Sequence, residues 1–242
     1  TLEPSGLTRL DCAFTQVPCT VQEEVTFPKE DIRFDNGDMQ LTINIRTGLV
    51  DHYIAAGVEY VSNGAFAPVL YQDSPDPWYM TKNCFPQKLG VFALTEARRA
   101  HRYSDGAEIL VPAVRIVENG AVRMLVEAEF VWGRSRLVQT YCLPKAGTSF
   151  EIMQDIFWNE ADTMLKLEIP AAFKGDYLGQ GMFGSGSLPQ DGTECVSQKW
   201  CGLFGEKHAL TICNSGIYGS HCVGSTISLS LLRASAYAAH PI

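Results

Sequence analysis

The sequence predicts an all-β fold, a large antiparallel β sandwich, and three observations carry that expectation. Segments that alternate between apolar and polar residues at period two recur along the chain, the mark of strands with one face buried. Asn-Gly and Gly-rich reversals separate them about every ten residues, as sandwiches require. Helical periodicity is scarce, which argues against a barrel of alternating strands and helices.

The elements follow in chain order. Residues 1–30 show no clear periodicity and carry Pro4, Pro18 and Pro28; they read as a lead-in segment and linker from a preceding domain, and 31–242 as the β domain. "RFDNGD" holds Asn36-Gly37, suited to the positive φ of a tight reversal. "MQLTINI" then places Met39, Leu41, Ile43 and Ile45 on one face and Gln40, Thr42 and Asn44 on the other. "LVDHYIAAGVEYV" reads as two strand halves around Ala55-Ala56-Gly57. "EILVPAVRIVENGAVRMLVEAEFVWG" forms a hairpin that reverses at Glu118-Asn119-Gly120. "SRLVQTYCL" and "SFEIMQDIFW" make a second pair, joined by "PKAGT". "MLKLEI", "HALTICN" and "TISLSLLR" are three more strands, and the Gly-rich 171–199 is a long loop or loosely paired ribbon.

Composition narrows the function classes. A chain of 242 residues buries roughly 70–75% of its unfolded surface on folding and needs no staple. Its net charge of −8 argues against a nucleic-acid partner, because that affinity comes from clustered Lys and Arg. The densest basic stretch, "EARRAH", holds only Arg98, Arg99 and His101. No apolar run approaches the ~20 residues of a membrane helix, so no membrane association is expected. Cys12, Cys19, Cys84, Cys142, Cys195, Cys201, Cys213 and Cys222 form no C-x-x-C pair and match no zinc spacing. Without a visible signal peptide, they are expected to be reduced, buried thiols in a cytoplasmic protein. There is no initiating Met, and "LLRASAYAAHPI" follows the last apolar strand directly. The expectation is a piece of something longer, truncated at both ends.

Catalytic constellations are few. No G-x-S-x-G elbow occurs. "GQGMFG" (179–184) has the G-x-G-x-x-G spacing but lacks the preceding buried strand and following helix of a dinucleotide site. His52, His101, His208, His221 and His240 form no H-x-x-x-H or H-x-D pair, and no metal ligand is assigned. A glycosidase needs two carboxylates, about 5 Å apart for retention or about 6.5–9.5 Å for inversion. Asp73 and Asp76 in "YQDSPDPWYM" and Glu160 and Asp162 in "FWNEADTMLKLEIP" are the candidates. Trp78 and Tyr79 beside the first pair offer a sugar-stacking surface, against the plainer reading of a Pro-stabilised turn whose Trp enters the core. The second pair falls in a turn, where acids are usually solvated. That stretch reads as a strand–turn–strand in which Trp158 packs and Lys166 pairs with a local acid. No catalytic residue is assigned.

Several segments together resemble a known family. "RFDNGDMQLTINIRTGLVDHYI", the Asp-Pro-Trp loop of "LYQDSPDPWYM" and the hairpin "VRIVENGAVRMLVEAEFVWGRSRLVQTYCL" occur in the order seen in the C-terminal β domain of glycoside hydrolase family 38, the α-mannosidases. "FWNEADTMLKLEIP", "QKWCGLF", "LTICNSGIYG" and "TISLSLLRASAY" continue that order, so the resemblance covers about residues 34–237. It implies a galactose mutarotase-like β super-sandwich behind a catalytic domain. It also implies retaining hydrolysis of α-mannosides, with zinc held in that missing catalytic domain. The family's His-x-Asp zinc motif is nowhere in this chain, so no nucleophile, acid/base or zinc ligand carries over.

The expected role is a non-catalytic domain that braces the catalytic one and lends loops to a carbohydrate (mannoside) cleft. Rim candidates are Asp73, Asp76, Trp78 and Tyr79 in one loop and Asn214 and Tyr218 in the Asn214–Gly219 turn. An uncovered closing edge would favour homo-oligomer formation by the fragment. Two alternatives stay open. One is a stand-alone carbohydrate-binding module using Trp78, Tyr79, Trp132 or Trp200. The other is a mutarotase-like epimerase, which needs a His beside a carboxylate; His101, His208 and His221 have no such partner by sequence.

Overall fold

Alternation in the sequence becomes strand after strand in the computed structural model, which describes residues 6–7, 9, 11–13, 25–73, 83–102 and 105–235. The fold is all-β, with no helix among the described residues, and its strand pairs there are antiparallel. The first sheet takes β1 (Ile32–Asp35), β2 (Met39–Ile43), β3 (Val50–Ala55) and β4 (Val58–Glu59) in sequence order. Asn36-Gly37 makes the first reversal as expected: Gly37 has φ +88°, and the Asn36 side chain accepts the Met39 amide at 2.8 Å. Ala56 and Gly57 make the third, both with positive φ.

The chain then starts a second sheet-forming region with β5 (Ala67–Gln72) and β6 (Lys88–Val91). β7 (Ala93–Leu94) joins the next sheet, and β8 (Arg98–His101) with β9 (Glu108–Val111) forms a separate ribbon. β10 (Val114–Asn119), β11 (Arg123–Trp132), β12 (Ser135–Pro144) and β13 (Glu151–Phe157) are consecutive neighbours, the two hairpins read from sequence. Val126, Ala128, Phe130, Leu137, Tyr141 and Leu143 fill the inner face of this sheet. The first sheet lies against it: the buried Tyr141 hydroxyl donates to the Gly48 carbonyl at 2.8 Å, and a Cβ at Gly48 would lie 2.9 Å from Phe130. Upstream, Thr26 exchanges two backbone hydrogen bonds with Ile116.

β14 (Thr163–Pro170) completes the strand–turn–strand expected at 157–170, and its two strands part into different sheets. The stretch is a corner, turned at Asp162 with φ +55° and tied down by Asp162 N to the Ala234 carbonyl at 2.7 Å and Asp73 N to the Asp162 carbonyl at 3.0 Å. Trp158 packs as expected, and its Nε1 donates to the Glu160 carbonyl at 2.7 Å. Glu160 is not a solvated turn acid: its carboxylate accepts from Arg134 N at 2.9 Å and Ser135 Oγ at 3.1 Å.

The Gly-rich stretch is more ordered than a loop. It contains β15 (Asp176–Gly181), β16 (Gly184–Ser187) and the short β17 (Cys195–Val196). β18 (Trp200–Phe204), β19 (Ala209–Cys213), β20 (Gly219–Val223) and β21 (Thr226–Ala234) complete the chain. Two sheets result, one ordered β16-β15-β18-β19 and one ordered β17-β20-β21-β14-β5-β6. A single apolar core draws side chains from the four larger sheets. The seven described cysteines are all free thiols, but not all buried: Cys12 and Cys213 are exposed, Cys201 and Cys222 buried. Cys19 lies outside the described residues.

Candidate functional site

The six-stranded sheet has two unlike faces, set by strand alternation and register. Lys166 pairs with Val69 on one side and Ser230 on the other, Glu168 with Ala67 and Ser228, and Met164 with Tyr71 and Arg233. His221 pairs with Ser228. Residues so paired share a face, so Tyr71, Lys166, Glu168, His221, Ser228, Ser230 and Arg233 all project one way. Leu70, Leu165, Leu167, Ile169, Ile227 and Leu229 project the other way into the core. The polar face is the concentration of chemistry in the chain, and the segment ending in Glu194 lies across it, held by Glu194 N to the Asn83 carbonyl at 2.6 Å.

Lys166 stands at its centre, fully buried. Its ammonium donates to Glu194 Oε2 at 2.5 Å and Ser230 Oγ at 2.9 Å, and lies 2.9 Å from His221 Nδ1. Ser230 in turn donates to Glu194 Oε1. Glu194, not a local acid as the sequence suggested, is therefore the partner of Lys166. Nor is His221 without a carboxylate: its Nδ1 lies 3.5 Å from Glu194 Oε2. The rings of Tyr71 and Phe85 flank the ammonium at 5.7 and 5.9 Å, a cation–π setting.

Burial alone would raise the Glu194 carboxyl; bonding to His221, the Lys166 charge and the Ser230 bond outweigh it and hold the group down to about 2. Burial lowers the Lys166 ammonium, and Glu194 only partly restores it. A second grouping adjoins: Tyr71 donates to Glu168, which also takes Lys88 at 2.6 Å. Burial and the neighbouring Glu168 raise the Tyr71 hydroxyl. Every charge here has a partner, and His221 and Glu194 are each closed against the same ammonium. The arrangement resembles an acid–base pair in composition, but the Lys166 ammonium contacts both members.

The sequence-predicted rim residues divide. Asp73 is buried, and Arg233 grips its carboxylate with Nε at 3.1 and 3.0 Å and Nη2 at 2.7 Å. Asp76, Trp78 and Tyr79 lie outside the described residues. Asn214 shapes its turn by accepting the Ile217 amide at 2.8 Å and donating to the Gln198 carbonyl at 3.2 Å. Tyr218 is exposed, with Lys199 Nζ 5.6 Å from its ring centre. Asp73 and Tyr218 fall at the same end of the six-stranded sheet, the end where β14 begins and β20 begins. Of the stacking candidates, Trp132 packs its ring on Gly90, and Trp200 packs on Phe204 with ring centres 5.8 Å apart. Among the described residues no three His, Cys, Asp or Glu side chains gather as a metal site.

Sequence reasoning missed Glu194 and His221 as partners. The available signal was a charged residue inside a buried strand: Lys166 interrupts "MLKLEI" on a strand buried along nearly its whole length, and such a charge demands a counter-charge somewhere in the fold.

The family model described as "Glycosyl hydrolases family 38 C-terminal domain" matches residues 34–240. A protein in glycosyl hydrolase family 38 from Enterococcus faecalis has a similar structure, with 11% sequence identity and a TM-score of 0.67 over 89% of this chain and 28% of that one. An alpha-mannosidase from Enterococcus faecalis V583 gives 11% identity and a TM-score of 0.63, over 89% of this chain and 27% of that one. The likeness to these two structures is one of fold, and the chain spans a little over a quarter of their length. No curated protein matches the chain.

Proposed function

The chain belongs to the glycosyl hydrolase family 38 C-terminal domain family, and from that premise we propose that it is the non-catalytic β region of an α-mannosidase. In this reading it braces a catalytic domain encoded elsewhere in the parent polypeptide and lends loops to a mannoside cleft. Its four larger sheets are taken as a β super-sandwich of the mutarotase type. The zinc that α-mannoside hydrolysis would use belongs to that other domain, in a cytoplasmic enzyme.

The observation that supports this best is the closed state of the polar face. The family match spans nearly the whole chain, yet the buried His–carboxylate pair of the polar face is occupied by Lys166, and a second pair, His52 with Glu59 at 3.0 Å, is exposed and ties β3 to β4. A rival epimerase would use such a pair to move a proton at an anomeric oxygen. Here the ammonium contacts both groups, which favours a structural role. The rim in this reading lies at the end of the six-stranded sheet that carries Asp73 and Tyr218, with Asn214 in the same turn as Tyr218.

The test compares hydrolysis of an aryl α-mannoside, with zinc added, by the 242-residue chain and by the full-length parent polypeptide. Turnover by the longer polypeptide alone is the expected result. Turnover by the chain itself would overturn the non-catalytic reading.

A further inference from the structure

At the same end of the molecule, β15 and β16 run out as a two-stranded ribbon closed by the Gly181–Gly184 pair. The two residues of its tip are Met182, 77% exposed, and Phe183, 103% exposed. Phe183 has φ +62°, a conformation for which glycine or asparagine is the ordinary choice because a side chain there is strained. Neither solubility nor turn geometry selects an aromatic residue at this place.

The ribbon is also unprotected in a second, independent way. Among the described residues β16 is an edge strand, exposed along its whole length. From Tyr177 to Gln190 the sequence has no Asp, Glu, Lys, Arg or His, in a chain of net charge −8. Natural edge strands carry charges, prolines or bulges that prevent unwanted pairing; Gly184–Ser187 has none of these.

Hydrogen bonds relate the tip to two more exposed apolar side chains. Gln180, just before it, accepts the amides of Gln198 and Lys199 at 2.9 and 2.8 Å, and Ser197 N donates to the Tyr218 carbonyl at 3.0 Å. These bonds set the ribbon beside the exposed Val196 and Tyr218. We propose that Met182 and Phe183, with Val196 and Tyr218, form the docking surface by which this domain seats on an apolar face of the rest of its own polypeptide, with the Lys199 ammonium over the Tyr218 ring at its border. The inference rests on the reading of the chain as one part of a longer enzyme, and it names the contact that does the bracing.

The length of chain outside this domain argues for that occupant. The solved chains of like fold are more than three times as long, since this chain covers 28% and 27% of them. A second copy of the chain is a poorer occupant. A stable dimer buries about 800 Å² on each partner, more than these four side chains supply. A tethered contact needs less, because its effective concentration is already high.

Hydroxyl-radical footprinting of the full-length parent polypeptide tests this directly, with a free peptide of residues 176–190 as the unprotected reference. Labelling of Met182 and Phe183 is expected to be roughly tenfold or more slower in the polypeptide than in the peptide, at every protein concentration. Labelling as fast as in the peptide would overturn the proposal. Protection that vanishes on dilution would overturn it too, by showing that a second copy covers the tip. Mannoside turnover is read separately in the same samples, so an inactive enzyme with a protected tip would sink the function and leave the docking surface standing.

Discussion

Two charged clusters in this molecule use the same ingredients to opposite effect. On the hairpin of β10 and β11, Arg123 meets Glu118 through three hydrogen bonds of 3.0–3.2 Å, in the open. On the six-stranded sheet, Lys166 meets Glu194 at 2.5 Å with almost no solvent on either. The exposed pair exchanges water for a partner of similar worth, so little is gained. The buried pair has already lost its water, so each member depends on the other. Contact geometry alone does not rank them; burial does.

The sharpest way to break this comparison is Glu194→Gln. It leaves the Lys166 ammonium buried without a counter-charge, and the expected loss is about 3–5 kcal/mol in denaturant unfolding. A Lys166→Met/Glu194→Leu double variant is expected to recover most of that loss, because removing both charges together removes the desolvation cost. A double variant as unstable as the single one would show that the cluster stabilises through packing instead.

Acid titration gives a smaller, graded effect. Glu194 is held down to about 2 in the folded chain, from an ordinary value of 4.5. A depressed carboxyl contributes stability that is fully present above its unfolded value and is lost as pH falls through the folded one. The stability difference between the wild type and Glu194→Gln is therefore expected to hold above pH 4.5 and shrink between there and about 2. A gap that stays constant across that window would mean Glu194 does not carry the charge assigned to it. The smallest effect is expected at Arg123→Gln, which should leave the thermal midpoint unchanged. A clear drop there would erase the contrast between the two clusters.

How far the sequence showed these features depends on how local they are. Asn36-Gly37 was readable because turn and side chain act within four residues, and so were the hairpins of β10–β13. The corner at Asp162 was not, since a strand, a turn and a strand look alike whether the strands pair or part into two sheets. Positive φ at a non-glycine residue gave no sign in the sequence. Asn214 and Tyr218 sit in the expected turn, while Asp73 is drawn inward by Arg233, 160 positions away.

By itself the sequence determined the all-β class, most strand positions and the family, because period-two alternation, turn residues and motif order are properties of short segments. Only the tertiary structure decided the polar face. Lys166 finds its partners 28, 55 and 64 positions along the chain, and no local pattern encodes which distant strands will stand beside it. Antiparallel register does, by placing β14 between β5 and β21 and carrying the segment before β17 across the face, so that one buried ammonium gathers a carboxylate, an imidazole and a hydroxyl.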